Sequence, residues 1–487
     1  MPNLPKHYDT IIIGAGVVGC AAARFLSRYR LNVLVIEAED DIACGATKAN
    51  SGIVHAGYDC EPGTLKAELN LKGSVMYQTL AEELDIPFKV NGSLVLCYQK
   101  EDHNKLEELY QRSIENKIPG TKLLTAEEVY KLEHNLVPGL YSALLAQGAG
   151  IISPYEAAIA FAENASDNGV EFLLGTRVVK VEAGERPFIV ETANTIRTVN
   201  TTRTVNTSSL TTFTADTIIN AAGVMSDTIH NFAAETADLY TESILTQRGQ
   251  YYLLDNAYKG FVSHTLFPLP SPKGKGVLIA PTVDGNIIVG PNAEDFVPKN
   301  DNQTTKAGLD EILKSAEAIV KDLPLSGRIT SFAGIRAKHS SKDFVINEPC
   351  PGFINALGID SPGLSAAPAI GKKLAGMVAK LKNPEEDPNF NPRRIGLKHF
   401  SSMSFDEKAA LIKKDPKYGH IVCRCETVTE AEIIAAIRRP VGARNLAAIK
   451  RRTRAQMGRC QGGFCSLKLT EILAAELNIS EESIWTS

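Results

Sequence analysis

"YDTIIIGAGVVGCAAARFLSRYRLNVLVIEAE" (residues 8–39) reads as a buried strand, a glycine turn, an alanine-rich helix and a second strand that ends in an acid. Each glycine has a mechanical reason. Gly14 makes the tight turn, Gly16 lets backbone approach a pyrophosphate, and Gly19 lets the helix pack on the strand. The helix N-terminus offers unpaired N–H groups and the positive end of its dipole, so a diphosphate is held without a basic side chain. Glu37 closes the second strand, where a carboxylate can accept from a ribose hydroxyl. A bare G-x-G-x-x-G occurs in unrelated folds, and a glycine turn in another α/β protein would not account for Glu37. The strand–helix–strand–acid context points to a dinucleotide.

Further along, "TADTIINAAGVMSD" (214–227) reads as another buried strand running into the small-residue turn Ala221–Ala222–Gly223. No second G-x-G-x-x-G is present to hold a separate nicotinamide nucleotide. FAD, closed over by Ala222 and Gly223, is therefore the expected dinucleotide.

The 487 residues suffice for two or three domains, with 44% hydrophobic and 22% charged residues, an ordinary soluble balance. A net charge of −4 gives no global argument for nucleic acid or a membrane surface. Nine cysteines, an odd number, in a chain that opens on a strand without a charged and then apolar leader indicate a reducing cytoplasm and free or metal-bound thiols. No apolar run is long enough to span a bilayer. Peripheral contact at the inner face of the membrane stays open.

Other segments are more specific. "GATKANSGIVHAGYDCEPGTLKAELN" (45–70), "QRGQYYLLD" (247–255), "SPKGKGVLIAPTVDGNIIVGPNAED" (271–295), "SFAGIRA" (331–337), "DFVI" (343–346) and "DSPGLSAAPAIG" (360–371) follow in order. This series resembles the FAD-dependent glycerol-3-phosphate oxidases and dehydrogenases of the D-amino-acid-oxidase-like superfamily, over about residues 8–380. "NSGIVHAG" and "PGTLKA" are shared with L-2-hydroxyglutarate oxidoreductases, whereas the Lys-Gly-Lys-Gly segment leans towards a phosphorylated substrate.

The resemblance implies oxidation of a secondary alcohol, which needs a base for the hydroxyl proton and a geometry that aims a hydride at the flavin. His55 is the expected base, its unperturbed pKa lying near neutrality. By the same resemblance Arg336 and Lys275 bind the phosphate, with Arg248 a further substrate ligand; Lys273 reads as solvated. Ser361, Gly363 and Leu364 stand where a loop enters a helix whose dipole can stabilise negative charge on reduced flavin; Ser361 is also placed with the substrate ligands. A simple capped helix is the plainer alternative. The Thr-rich stretch 192–214, with its repeated "RTVN", departs from the family and reads as a lengthened exposed hairpin or frayed loop without assigned function.

Near the end, "VCRCETVTE" (422–430) and "GRCQGGFC" (458–465) bring Cys423, Cys425, Cys460 and Cys465 as C-x-C, 34 residues, then C-x4-C. Four thiolates so spaced can give each iron of a [2Fe-2S] cluster two ligands, with zinc the alternative. "CRCETVTEAEI" and "KRRTRAQMGRCQGGFC" resemble the bacterioferritin-associated-ferredoxin-like [2Fe-2S] domain, which anaerobic glycerol-3-phosphate dehydrogenases carry and short oxidases lack. Thr429-x-x-Glu432 forms a capping box, Ile433, Ile434 and Ile437 mark a helical face, and Pro440 with Gly442 ends it. Lys450, Arg451, Arg452, Arg454 and Arg459 read as a solvated basic face or as cations that raise the cluster potential.

The expected fold is α/β: a Rossmann-like FAD-binding domain (about 1–85, 148–245 and 325–390) interleaved with an α+β substrate domain of mixed antiparallel sheet (about 86–147 and 246–324). A linker (391–417) and a small, mainly helical [2Fe-2S] domain (418–487) follow. The expected reaction is oxidation of sn-glycerol 3-phosphate to dihydroxyacetone phosphate, with electrons passing through the cluster to a flavoprotein or iron-sulfur subunit, or to quinone. A 2-hydroxyacid dehydrogenase of the L-2-hydroxyglutarate kind is the alternative within the enzyme class. A non-catalytic flavin and iron-sulfur electron carrier or redox sensor is the alternative outside it.

Overall fold

The computed structural model describes residues 5–184, 186–197, 203–270 and 276–486. Strand β1 (Lys6–Ile13), helix α1 (Val17–Leu26) and strand β2 (Val33–Ile36) form the expected unit. β1 pairs in parallel with β2, Ile13 opposite Ile36, and with the strand Arg203–Asn220, Ile13 opposite Asn220. Ile11, Ile12 and Ile13 are buried. A parallel sheet covered on both faces needs such an unbroken apolar run rather than alternation. This sheet has eight strands and also takes in Glu171–Leu173 and Phe353–Leu357. Within it, Phe188–Arg197 and Arg203–Asn220 pair antiparallel out to Arg197 opposite Arg203. The Thr-rich stretch therefore forms a lengthened hairpin among the described residues.

A second, nine-stranded sheet takes the chain on two separate passes. Ser93–Cys97, Thr121–Thr125 and Ser142–Ala146 enter it first, the chain returns to the first sheet, and Leu245–Leu254 through Arg328–Lys338 enter it second. Its pairings are antiparallel except that Thr265–Pro268 runs parallel to Ser93–Leu96. The two sheets meet around the cavity described below.

Residues 391–417 hold more order than a linker. Ser404 accepts from the Glu407 N–H and Glu407 accepts from the Ser404 N–H, and this capping box opens a helix over Phe405–Lys414. Arg394 is anchored on the buried Glu163 at 2.6 Å and on the Leu84 carbonyl. Beyond lie the helices Glu430–Arg438, Leu446–Thr453 and Ser466–Leu477 around a core of their own that includes Ile433, Ile437, Ile449, Leu469 and Leu473. The Thr429/Glu432 capping box opens the first, and Glu432 also accepts from the Phe400 N–H.

Buried ion pairs tie this module to the rest of the chain. Arg451 and Arg452 both hold Asp41, Arg439 joins Arg394 on Glu163, and Arg454, paired within the module to Glu426, reaches out to Asp284. The basic run read as a solvated or cluster-facing surface is corrected here: Arg451 and Arg452 are buried and turn inward onto the flavin side of the molecule. A buried guanidinium requires such a partner. No helix among the described residues is long and apolar enough to cross a membrane.

Candidate active site and cysteine site

The end of β1, the N-terminus of α1 and the end of β2 open on one cavity of about 970 Å³, which Gly14, Gly16 and Glu37 line together with Ala222, Gly223 and the loop 44–51. That is the upper end of the usual range for ligand pockets and suits an extended dinucleotide. Gly14 has φ +104°, and a Cβ there would lie 2.5 Å from the Ala221 carbonyl, so the first turn closes directly on the small-residue turn. Gly19 sits against the Gly14 carbonyl with no room for a side chain. Glu37 accepts from the N–H groups of Ala15 (2.7 Å) and Glu39 (2.9 Å). Burial raises its carboxyl above the ordinary range in spite of those two bonds. These residues fit FAD.

At the other end of the cavity, Ser361, Gly363 and Leu364 line the N-terminus of the helix Gly363–Lys382. His55 lies in the same wall and is buried. Its N–H donates to Ser365 Oγ at 2.7 Å, its carbonyl accepts from Asn70 at 3.2 Å, and its ring lies 5.9 Å from that of Phe267. The loop carrying His55 is thus pinned to the helix that also presents Ser361.

Arg336 enters the cavity from the strand Arg328–Lys338, opposite Gln247 in the neighbouring strand, and its Nη1 donates to Gln247 Oε1 at 2.7 Å. Gly249 makes the room: a Cβ there would stand 2.6 Å from Arg336 Nη2. Arg248 belongs elsewhere, which corrects its place among the substrate ligands. Strand alternation turns Gln247 and Tyr251 to the cavity and Arg248 to the other face, where it pairs with Glu294 at 2.7 Å and Asp301 at 2.9 Å. Lys275 and Lys273 lie outside the described residues; Gly276 and Val277 line the cavity.

Sequence reasoning passed over Gln247, although "QRGQ" places it one residue from Arg248 and a period of two makes one of them face away. It also passed over Asp360, which lines the cavity and is paired with Lys66 at 2.6 Å. Burial holds the Asp360 carboxyl above its usual range against the pull of Lys66. Two residues so distant in the chain leave no local signal.

The four expected cysteines meet at one end of the small module. Cys425 Sγ and Cys460 Sγ stand 3.6 Å apart, while Cys423 and Cys465 are buried. Burial and the adjoining Cys423 push the Cys465 thiol up to about 12. Burial also opposes ionisation of Cys460, yet the N–H groups of Gly462, Phe464 and Gly463 and the Cys425 thiol bring it below the ordinary thiol range. No three of the sulfurs lie within 4.8 Å of one another. Four ligands on a single zinc ion would all stand about 3.8 Å apart, given Zn–S of about 2.3 Å and tetrahedral geometry. The wider spread fits a [2Fe-2S] cluster, whose two irons divide the ligands.

Residues 9–377 match the model of the FAD dependent oxidoreductase family, and residues 421–475 match the BFD-like [2Fe-2S] binding domain. A glycerol 3-phosphate dehydrogenase of Caloramator mitchellensis is 45% identical over 480 residues, covering 98% of this chain and 96% of that protein. The mitochondrial L-2-hydroxyglutarate dehydrogenase of Homo sapiens is 29% identical over 293 residues, 59% of this chain and 61% of that one. Among solved structures, the dithionite-reduced L-alpha-glycerophosphate oxidase of Mycoplasma pneumoniae with FAD bound superposes with a TM-score of 0.72 at 31% identity, covering 80% of this chain and 98% of that chain. With glycines that cradle a dinucleotide at one end and four gathered thiols at the other, the chain belongs to the FAD dependent oxidoreductase family and carries a BFD-like [2Fe-2S] binding domain.

Proposed function

We propose that the protein oxidises sn-glycerol 3-phosphate to dihydroxyacetone phosphate and passes the electrons through the cluster to a separate flavoprotein or iron-sulfur protein, or to quinone. The observation that carries this reading is Arg336, fixed by Gln247 in space cleared by Gly249, in the same cavity as His55. The likeness to glycerol 3-phosphate dehydrogenase over nearly the whole chain supports it. Bound FAD supplies a two-electron acceptor for the C2 hydride, and the [2Fe-2S] cluster supplies a one-electron carrier.

In this reading His55 takes the C2 hydroxyl proton onto a ring nitrogen as the carbonyl forms. Its backbone bonds to Ser365 and Asn70 fix where the ring stands. Arg336 forks the phosphate, with Lys275 as a second cation. Gly14, Gly16, Gly19, Glu37, Ala222 and Gly223 hold the dinucleotide, and Ser361, Gly363 and Leu364 bring a helix N-terminus to the flavin end. Cys423, Cys425, Cys460 and Cys465 ligate the cluster. Nine cysteines without a disulfide support a reducing, cytoplasmic setting.

A second reading, oxidation of an L-2-hydroxyglutarate-like acid, rests on the same guanidinium, which forks a carboxylate as well as a phosphate, and on the likeness to the human enzyme. Anaerobic mixing of the oxidised holoprotein with each compound separates the two. Loss of flavin absorbance with glycerol 3-phosphate alone is expected; reduction only by the hydroxyacid selects the second reading. Reduction by neither leaves an electron carrier.

A further inference from the structure

We infer that Asp295 is a positioning residue for anion binding, acting through Gln247 to aim the Arg336 guanidinium while leaving its charge for the ligand. The inference rests on Arg336 as the phosphate-binding residue of the proposed reaction, and adds what orients it and what keeps its charge free.

The three residues share one row of the nine-stranded sheet. Gln247, in the strand Leu245–Leu254, stands opposite Asp295 of the short strand Glu294–Asp295 on one side and opposite Arg336 on the other. Gln247 Nε2 donates to Asp295 Oδ1 at 2.8 Å, and Gln247 Oε1 accepts from Arg336 Nη1 at 2.7 Å. A guanidinium only donates and a carboxylate only accepts, so a single orientation of the amide satisfies both neighbours. Turned over, the amide would set its NH2 group against the guanidinium and its oxygen against the carboxylate. Asp295 therefore selects the orientation that offers an acceptor to Arg336, although Asp295 itself stands outside the cavity wall and is half-exposed.

The next row shows what the amide avoids. Arg248 is set opposite Glu294 in the same pair of strands, and the two join directly at 2.7 Å, with Asp301 on the same guanidinium at 2.9 Å. The charge of Arg248 is thus neutralised within the protein. Arg336 makes no ion pair among the described residues. The acid in its row, Asp295, is held one amide away and is shared with Lys338 at 3.8 Å. Asp360, the acid that lines the cavity beside it, is paired with Lys66 at 2.6 Å. A neutral spacer passes on hydrogen-bond geometry without supplying a counter-charge, and a cation enclosed in this way favours an anionic ligand.

The test uses the full-length holoprotein with two readouts: calorimetric titration with inorganic phosphate, and anaerobic flavin reduction over a range of glycerol 3-phosphate concentrations. Asp295→Ala is expected to weaken phosphate binding and raise the Michaelis constant together, by about three- to tenfold, a half-exposed charged bond being worth less than a buried one. The limiting rate of flavin reduction stays parental, because the loss is one of binding and not of chemistry. Asp295→Asn gives up the ion pair with Lys338 as the alanine variant does, but keeps an acceptor for the amide. It is expected to hold both constants within about twofold of the parent. Gln247→Glu puts a carboxylate directly on Arg336 and beside Asp295, and both constants are expected to rise about 100-fold or more. Gln247→Met, of similar size and without an amide, takes its place should that variant lose FAD, with an expected rise of about tenfold.

Parental constants in Asp295→Ala, or a slower limiting rate without a loss of binding, overturn the inference. So does an asparagine variant impaired as much as the alanine variant, which would trace the effect to Lys338. A parent that binds no phosphate, or a Gln247→Glu protein that binds it as the parent does, overturns it as well. Should glycerol 3-phosphate fail to reduce the parent while the phosphate titrations behave as stated, the functional reading fails and the positioning role stands.

Discussion

Arg452 Nη2 donates to Asp41 Oδ1 at 2.8 Å, joining a helix of the iron-sulfur module to a loop beside the cofactor cavity. Both side chains are almost wholly buried, and Arg451 closes the other side of the same carboxylate. The loop beyond Asp41 supplies Cys44, Thr47 and Asn50 to the cavity wall. The contact that docks the module thus also braces a loop of the cofactor cavity.

Asp41→Asn is expected to destabilise the protein by about 3–5 kcal/mol, since it leaves two buried guanidiniums without their anion. Thermal unfolding followed together with release of flavin fluorescence checks this. Parental stability with normal FAD content would contradict the coupling.

Acid should loosen the same junction. Burial opposes ionisation of Asp41, but Arg452 and Arg451 outweigh it and hold its carboxyl below the ordinary range; Arg394 and Arg439 do the same for Glu163. A carboxyl depressed in the folded state stabilises the fold above its unfolded pKa of about 4, and that contribution is lost as pH falls through the folded value. Limited proteolysis between the module and the remainder is expected to begin in this acid range.

Glu156 has the opposite sign. Burial, and after it the charge of Asp284, push its carboxyl up to about 8. The folded state keeps a proton that the unfolded chain gives up near pH 4, so stability falls as pH rises between those values. Glu156→Gln is expected to gain stability over the parent as pH rises from 5 to 8, by up to about 1.4 kcal/mol for each pH unit. Denaturant melts at the two pH values measure the difference.

Gly249→Ala drives a methyl group against the Arg336 guanidinium. The Michaelis constant for glycerol 3-phosphate is expected to rise about tenfold or more, the cost of displacing a charge-assisted fork, while FAD content stays normal. His55→Gln should instead slow flavin reduction by about 100-fold or more at saturating substrate. Stopped-flow reduction distinguishes a binding loss from a chemical one.

Cys460→Ser is expected to abolish the cluster spectrum and transfer to external acceptors while flavin reduction by substrate keeps its parental rate. Metal analysis and anaerobic stopped-flow traces check the two halves separately. Loss of flavin reduction in a folded variant would sink the relay.

What the sequence makes legible is what physics makes local. The turn at Gly14 and the acid at Glu37 sit within one strand–helix–strand unit, where spacing dictates shape, and four thiols in two short motifs are a dense chemical signal. The error over Arg248 has a simple source: "QRGQ" does not state its strand phase, and a shift of one residue exchanges the cavity face for the opposite one. The helix at Phe405–Lys414 had its signature in Ser404 and Glu407, but the proline-rich stretch before it masked the signal. The ion pairs at Asp41 and Glu163 had none, because their partners lie hundreds of residues away and a run of arginines looks alike whether it faces water or a buried acid.

Asp41 leaves the ribosome 410 residues before Arg451. Until the last tenth or so of the chain is made, its carboxylate has no cation to meet and the loop above the nucleotide has no brace. A polypeptide cut before Arg451 is therefore expected to hold the loop that follows Asp41 less firmly than one that reaches it.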